Sequence, residues 1–310
     1  MSFTYVLGKM ISLAVMMLLG FAANKGGILD EKSNKSLSEL VINITTPCMM
    51  LASLGATEST RSDLFMMLVL GIVFYAVFIG AAELIPKHLP IDRDDIPVYK
   101  YYTVFTNNAF MGFPVVTALW GNKALIYAAL LNIPISILMY TYGIMQYAKR
   151  SEQGESLNLR KLLNIPNGSA VLVLILALFS FRFTGYVQET LDVVGSATVP
   201  LSMIVVGSTL AQRPLKGIFN EKFPFAFAAV RLMIVPAVVF GLLWLLPVSP
   251  MIKGVLVVIS AMPGSANGVL FAQQFSYKRT LSSRYVFIST VMSVITIPLI
   301  SVIVLSRLGI

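Results

Sequence analysis

The sequence predicts an all-α integral membrane protein of ten transmembrane helices, arranged as a 5+5 inverted repeat. Three observations carry this: a composition too apolar for a water-facing surface, ten apolar stretches of spanning length, and basic charge that alternates between them. Of 310 residues, 57% are hydrophobic and 12% charged, and the mean hydropathy is +0.82. Soluble domains carry about a quarter charged residues, which they need to cover a wet surface. A lipid-facing surface needs none.

A span takes about twenty mostly apolar residues, because the hydrocarbon core is about 30 Å thick and a helix rises about 1.5 Å per residue. Residues 4–22 open the chain with such a run. No basic segment precedes it and no small-residue cleavage site follows, so it reads as a retained helix rather than a signal peptide. The runs 36–54, 63–85, 99–119 and 124–147 complete a first set of five. The second set is 168–184, 196–211, 223–246, 252–275 and 284–306. Polar, Gly- or Pro-bearing stretches separate them, as breaks between spans should. The repeats are therefore expected at 1–148 and 168–310, joined by a cytoplasmic connection at 149–167.

Charge orients this chain. Alternate loops hold Lys25, Lys32 and Lys35; Lys87, Arg93 and Lys100; Lys149, Arg150, Arg160 and Lys161; Arg213, Lys216 and Lys222; and Lys278, Arg279 and Arg284. The opposite set holds Arg61, Lys123, Arg182, Lys253 and Arg307, sixteen basic residues against five. Cytoplasmic loops attract Lys and Arg, so both termini are expected outside the cytoplasm. One missed span would swap every later loop and destroy the alternation. The net charge of +9 is thus a membrane-topology signal, and no nucleic-acid partner is expected.

With five spans per half, any repeat must be inverted. Span 36–54 carries Thr46-Pro47-Cys48-Met49-Met50 and Gly55-Ala56-Thr57; span 196–211 carries Val199-Pro200-Leu201-Ser202-Met203 and Gly207-Ser208-Thr209. Pro47 lies 67 residues before Pro114, and Pro200 lies 68 before Gly268. Asn132-Ile133-Pro134 in span 124–147 then matches Thr296-Ile297-Pro298 in span 284–306.

Two spans are interrupted at matching places. Span 99–119 holds Asn107-Asn108-Ala109-Phe110-Met111-Gly112-Phe113-Pro114, and span 252–275 holds Met262-Pro263-Gly264-Ser265-Ala266-Asn267-Gly268. Proline removes a donor and clashes with the preceding turn, while glycine tolerates unwound angles. Unwound backbone at membrane depth persists only against protein or a water-filled cavity. Paired interruptions in two halves mark a transporter's binding site, and the N-termini of half-helices suit an anion. Simple proline kinks would give a similar pattern. The amides of Asn107, Asn108 and Asn267, with Ser265, favour a site, because such groups are costly in hydrocarbon unless paired or hydrated. Arg231, about two turns into span 223–246, is either a counter-ion to a substrate carboxylate or a side chain snorkelling to the interface. Lys9 reads as snorkelling.

Other chemistries find little support. The single cysteine, Cys48, and the single histidine, His88, allow neither a disulfide nor a thiolate zinc site. No serine or aspartate cluster sits at span depth with a partner base, so no enzyme, cofactor or metal is expected. Glu39 and Glu83 lie near span ends, which leaves the coupling ion, H+ or Na+, open. A membrane receptor that binds a ligand at the crossover without moving it is the competing class.

The sequence resembles a bacterial member of the auxin efflux carrier family nearly end to end. The resemblance rests on Gly20-Phe21 through Lys25-Gly26-Gly27-Ile28-Leu29-Asp30, Pro47, the Asn108–Pro114 segment, and Ala261-Met262-Pro263 through Phe271-Ala272-Gln273-Gln274-Phe275. It implies a fold shared in outline with bile-acid and sodium–proton transporters. Scaffold helices 4–22, 36–54, 168–184 and 196–211 would dimerise, and transport helices 63–147 and 223–306 would move against them in elevator fashion. The broken helices would cross at Pro114 and Gly268, a place where plant relatives have a second proline, and Asn132 would face the site. The implied substrate is a small organic anion such as malate or malonate, or the auxin-like indole-3-acetate of plant relatives.

Overall fold

A computed structural model describes residues 3–56, 59–148, 164–212 and 222–308. The charges expected at Lys149 to Lys161, Arg213 and Lys216 therefore lie outside the described residues. The described elements are helices: α1 (Phe3–Lys25), α2 (Glu31–Ala56), α3 (Arg61–His88), α4 (Ile96–Val104), α5 (Asn108–Trp120), α6 (Asn122–Ala148), α7 (Ile165–Leu178), α8 (Gly185–Ala211), α9 (Phe223–Trp244), α10 (Pro250–Ser260), α11 (Asn267–Gln274) and α12 (Arg279–Leu308). One isolated antiparallel bridge, Thr106 to Gly264, is the only extended pairing among the described residues.

The helix starts follow from side chains that satisfy orphan N–H groups. Asp30 accepts from the Ser33 amide at 2.7 Å ahead of α2. Thr60 and Asp63 form a reciprocal capping box at α3. Asn164 and Ser249 cap α7 and α10. Three of the interior prolines share a trace. Pro47, Pro114 and Pro236 each stand two residues beyond a π-helical turn, at Val41–Thr45, Asn108–Gly112 and Val230–Ile234. A proline gives no hydrogen bond to the carbonyl four residues back and crowds it. Widening the preceding turn relieves both problems without breaking the helix.

Among the described residues, seven helices are long and apolar enough to cross a membrane: α1, α2, α3, α6, α8, α9 and α12. Against the ten single spans expected, α5, α7 and α10 are shorter apolar helices. Two expected spans, 99–119 and 252–275, are each split in two, and the one at 168–184 is the 14-residue α7. Helix α8 also begins at Gly185, well before the expected 196–211. Its first turns carry Gln188, Glu189 and Asp192, which read as loop. The structure keeps them helical by packing them on α2, where the Gln188 amide donates to the Ala52 carbonyl at 3.1 Å and to Asp192 at 2.9 Å.

The tightest packing joins α1 to α8. A Cβ on Gly20 would strike the backbone of Ile204, and one on Gly207 would strike the backbone of Met17. The two glycines thus let the helix backbones touch, which is how helices associate where lipid offers no hydrophobic drive. Farther along α8, Gly195 lies under the Met49 backbone, with its ideal Cβ 2.7 Å from Met49 Cα. Helix α2 then packs on α6 and α7, while α9, α10 and α12 pack together and α3 packs on α4 and α6. Replacing Gly207 by valine is expected to cost about 1–3 kcal/mol or more by overpacking, read as a lowered Tm of the detergent-solubilised protein. Gly241→Val, where nothing lies within 4 Å, should leave the Tm near that of the wild type.

Candidate functional site at the helix crossover

Helices α4 and α10 stop in mid-protein, and their chains restart as α5 and α11 after a few extended residues. An interrupted helix strands N–H and C=O groups that lipid cannot satisfy. The two breaks satisfy each other. The Asn107 amide donates to the Pro263 carbonyl at 2.8 Å, and the Ser265 amide donates to the Phe105 carbonyl at 3.2 Å. This antiparallel bridge fixes the crossing register: Thr106 stands against Gly264. The expected crossing at Pro114 and Gly268 is displaced accordingly. Pro114 is the second residue of the regular α-helical run Phe113–Trp120, beyond the π turn, and the break itself lies at residues 105–107.

Side chains lock the bridge. Asn107 Oδ1 accepts from the Phe110 amide at 3.3 Å, capping α5. Asn108 accepts from Thr106 Oγ1 at 2.7 Å and donates from Nδ2 to the Tyr75 hydroxyl at 3.2 Å. The Gly264 amide donates to Ser289 Oγ at 3.1 Å. Gly264 and Gly268 lie under tyrosine rings: an ideal Cβ would stand 2.8 Å from Tyr285 at Gly264, and 2.5 Å from the Tyr102 hydroxyl at Gly268. Gly112 similarly makes room for Ile259, whose Cδ1 is 2.8 Å from the ideal Cβ.

Beside the bridge lies a cavity of about 210 Å³, lined from α5, α6 and α11 on one side and from α2 and the start of α7 on the other. Five of the residues singled out in the sequence meet on it: Asn107, Asn108, Asn132, Ser265 and Asn267. Asn132 donates to Asn167 Oδ1 at 3.4 Å, across the two sides. The Asn267 side-chain amide donates to the Met139 sulfur at 3.0 Å, a weak acceptor that leaves it the capacity to address a ligand. Among the described residues, no charged side chain lines the cavity. Apolar side chains, among them Ile42, Phe110, Ile135 and Met139, share the lining with these amides and hydroxyls.

Gly112, Pro114 and Gly268 do not line the cavity; they shape the helices around it. Arg231 is placed otherwise than either reading of it. It is 3% exposed, so it does not snorkel. Its Nε donates to the Thr103 carbonyl at 3.1 Å and its Nη1 to the Ser260 carbonyl at 2.6 Å, away from the cavity lining.

Sequence reasoning passed over Asn43, Ser136, Tyr140, Asn164 and Asn167, which also line the cavity. Asn43 carried the same signal as Asn107, an amide within an apolar span, in a chain whose second span could have been read that way. Asn164 and Asn167 stood in what read as the connecting loop, and only the fold brings the start of α7 to the crossover.

Broken helices bridged beside a cavity, within a bundle of helices long and apolar enough to cross a membrane, point to a multi-pass membrane protein. The chain belongs to the membrane transport protein family, the auxin efflux carrier-like group, whose model matches residues 5–301. It is 26% identical over 294 residues to an uncharacterized transporter of Methanocaldococcus jannaschii, covering 92% of this chain and 94% of that one. An uncharacterized transporter of Methanothermobacter thermautotrophicus is 25% identical, covering 94% of this chain and 96% of its own. The uncharacterized transporter YfdV of Escherichia coli is 20% identical over 309 residues.

The glycine at 268 gives a direct test of this packing. Gly268→Ala is expected to cost about 1–3 kcal/mol by overpacking, lowering the Tm. Adding Tyr102→Phe, which removes the oxygen nearest the new methyl group, should recover part of that loss in a double-mutant comparison.

Proposed function

We propose that this chain is a secondary transporter of a small organic anion, a mono- or dicarboxylate such as malate or malonate, working by elevator-type alternating access. The observation that carries the proposal is the cavity itself, where the N-terminal turns of α5 and α11 meet a ring of amides and hydroxyls. Helix N-termini present N–H groups and about +0.5 of an elementary charge each. Two of them, with the amides of Asn107, Asn108, Asn132 and Asn267, can hold a carboxylate without a formal counter-ion. A volume of about 210 Å³ is below the roughly 300–1,000 Å³ of drug-sized pockets, which suits a small acid.

The division of the cavity walls supports the elevator reading. Ile42, Asn43, Asn164, Pro166 and Asn167 come from α2 and the start of α7, and the remaining lining residues come from the crossover and α6. In this reading α1, α2, α7 and α8 form a scaffold that pairs with a second copy. Helices α3 to α6 and α9 to α12 then carry the site past it. The cavity adjoins the start of α7, which follows the basic connection at 149–163, and in this reading that makes the conformation inward-facing in an inner membrane with both termini outside the cytoplasm.

Uptake of labelled malate and malonate into proteoliposomes tests this. Saturable uptake is expected for the wild type, reduced at least about tenfold in Asn267→Ala and Asn132→Ala, as loss of hydrogen bonds to a charged group would give. Binding of either acid to purified protein without uptake would instead favour a receptor. No interaction with either acid under imposed proton and sodium gradients would remove the substrate assignment.

A further inference from the structure

The crossover has two faces of opposite polarity. The N-terminal turns of α5 and α11 line the cavity, while the carbonyls that end α4 and α10 converge on Arg231. Each helix C-terminus carries about −0.5 of an elementary charge, so two of them present about −1. One guanidinium matches that charge. Its Nε is 3.1 Å from the Thr103 carbonyl oxygen and its Nη1 is 2.6 Å from that of Ser260. The Phe78 ring lies beneath it, 5.0 Å from ring centroid to guanidinium carbon. A buried cation ordinarily needs a carboxylate. Yet α4, α5, α6 and α9 to α12 contain no Asp or Glu at all. The helix ends are what pair Arg231, and the π turn at Val230–Ile234 sets it there.

In transporters built from broken helices, the C-terminal ends of the half-helices are where a coupling cation binds. Here a side chain takes those oxygens. We propose that Arg231 is the crossover's tethered cation: its guanidinium joins the ends of α4 and α10 where a sodium ion would otherwise have to sit. The crossover is then complete without an inorganic cation. Arg231 acts as a positioning residue, holding the two breaks in register so that the amides meet across the cavity. The consequence for coupling rests on the transporter reading; the structural role does not.

The test is hydrogen exchange, read by mass spectrometry, on substrate-free protein in detergent. The reporters are the Asn107 and Ser265 amides, which form the bridge. Arg231→Met keeps much of the side-chain length without charge or donors, and Arg231→Lys keeps the charge. In Arg231→Met both amides should exchange at least about tenfold faster than in the wild type, with α1 and α8 unchanged. Arg231→Lys should stay close to the wild type, and millimolar ethylguanidinium should slow exchange in Arg231→Met. Wild-type exchange should be the same in sodium and in choline buffer.

Unchanged protection in Arg231→Met would overturn the proposal. So would a loss spread over α1 and α8 that ethylguanidinium does not reverse, since that would make Arg231 a packing residue only. Sodium-dependent protection of the wild-type bridge would also overturn it. If Arg231→Met does not fold, Arg231→Gln, with donors but no charge, decides by the same criteria. No substrate enters this experiment, so a failure of malate and malonate uptake would remove the transport reading and leave this result standing.

Discussion

A helix cannot simply stop in the middle of a bilayer. Its last carbonyls and the first amides of whatever follows have no water to turn to, and each unsatisfied group costs several kcal/mol, on the order of a lost solvation shell. Two such breaks occur in this chain, and neither is tenable alone. They become tenable together because the extended residues of one supply what the other lacks: Asn107 to Pro263 and Ser265 to Phe105. Much of the surrounding structure serves that meeting. Gly112, Gly264 and Gly268 open the room for it, the rings of Tyr102 and Tyr285 close over it, and Arg231 takes the carbonyls that the bridge leaves over.

This economy bears on the lining of the cavity, where no side chain among the described residues is charged. The half-helix dipoles already divide the crossover into a positive face and a negative face. Among the described residues, the charge buried at the crossover is that of Arg231, which is directed to the negative face rather than to the cavity lining. What the cavity presents is therefore amides and hydroxyls set among apolar side chains, with one amide pair joined across it. Asn132 and Asn167 reach across from opposite walls, so anything entering the cavity must compete with a protein–protein contact. A site of this kind discriminates by shape and hydrogen bonding more than by raw electrostatic pull.

The bundle also treats its two regions differently. Along α1 and α8 the backbones touch through Gly20 and Gly207, and α2 lies close on the first half of α8 through Gly195 and Gly55. Such contacts leave little room for sliding. Around the crossover the packing depends instead on large aromatic side chains stacked on glycines, with Tyr99, Tyr101, Tyr102, Tyr147 and Tyr285 fully enclosed. The cavity lies between these regions, and both contribute to its walls.

The sequence by itself determined the membrane class, the positions of the long helices, and the fact that two helices are interrupted. These are local properties: hydropathy, proline and glycine act over a few residues, and the bilayer enforces them everywhere. It also marked Asn107, Asn108, Asn267 and Ser265, because an amide or hydroxyl in an apolar run is conspicuous without any partner in view. The tertiary structure alone decided the crossing register, which follows the bridge at Thr106 and Gly264 rather than the prolines. It also placed Asn164 and Asn167 against a break far away in the chain, and extended α8 through residues that look like loop until α2 is laid beside them. Arg231 shows the boundary most clearly. Its place about two turns into an apolar span is written in the chain, but its burial is not, because its partners are backbone carbonyls, which every residue carries and no sequence pattern distinguishes.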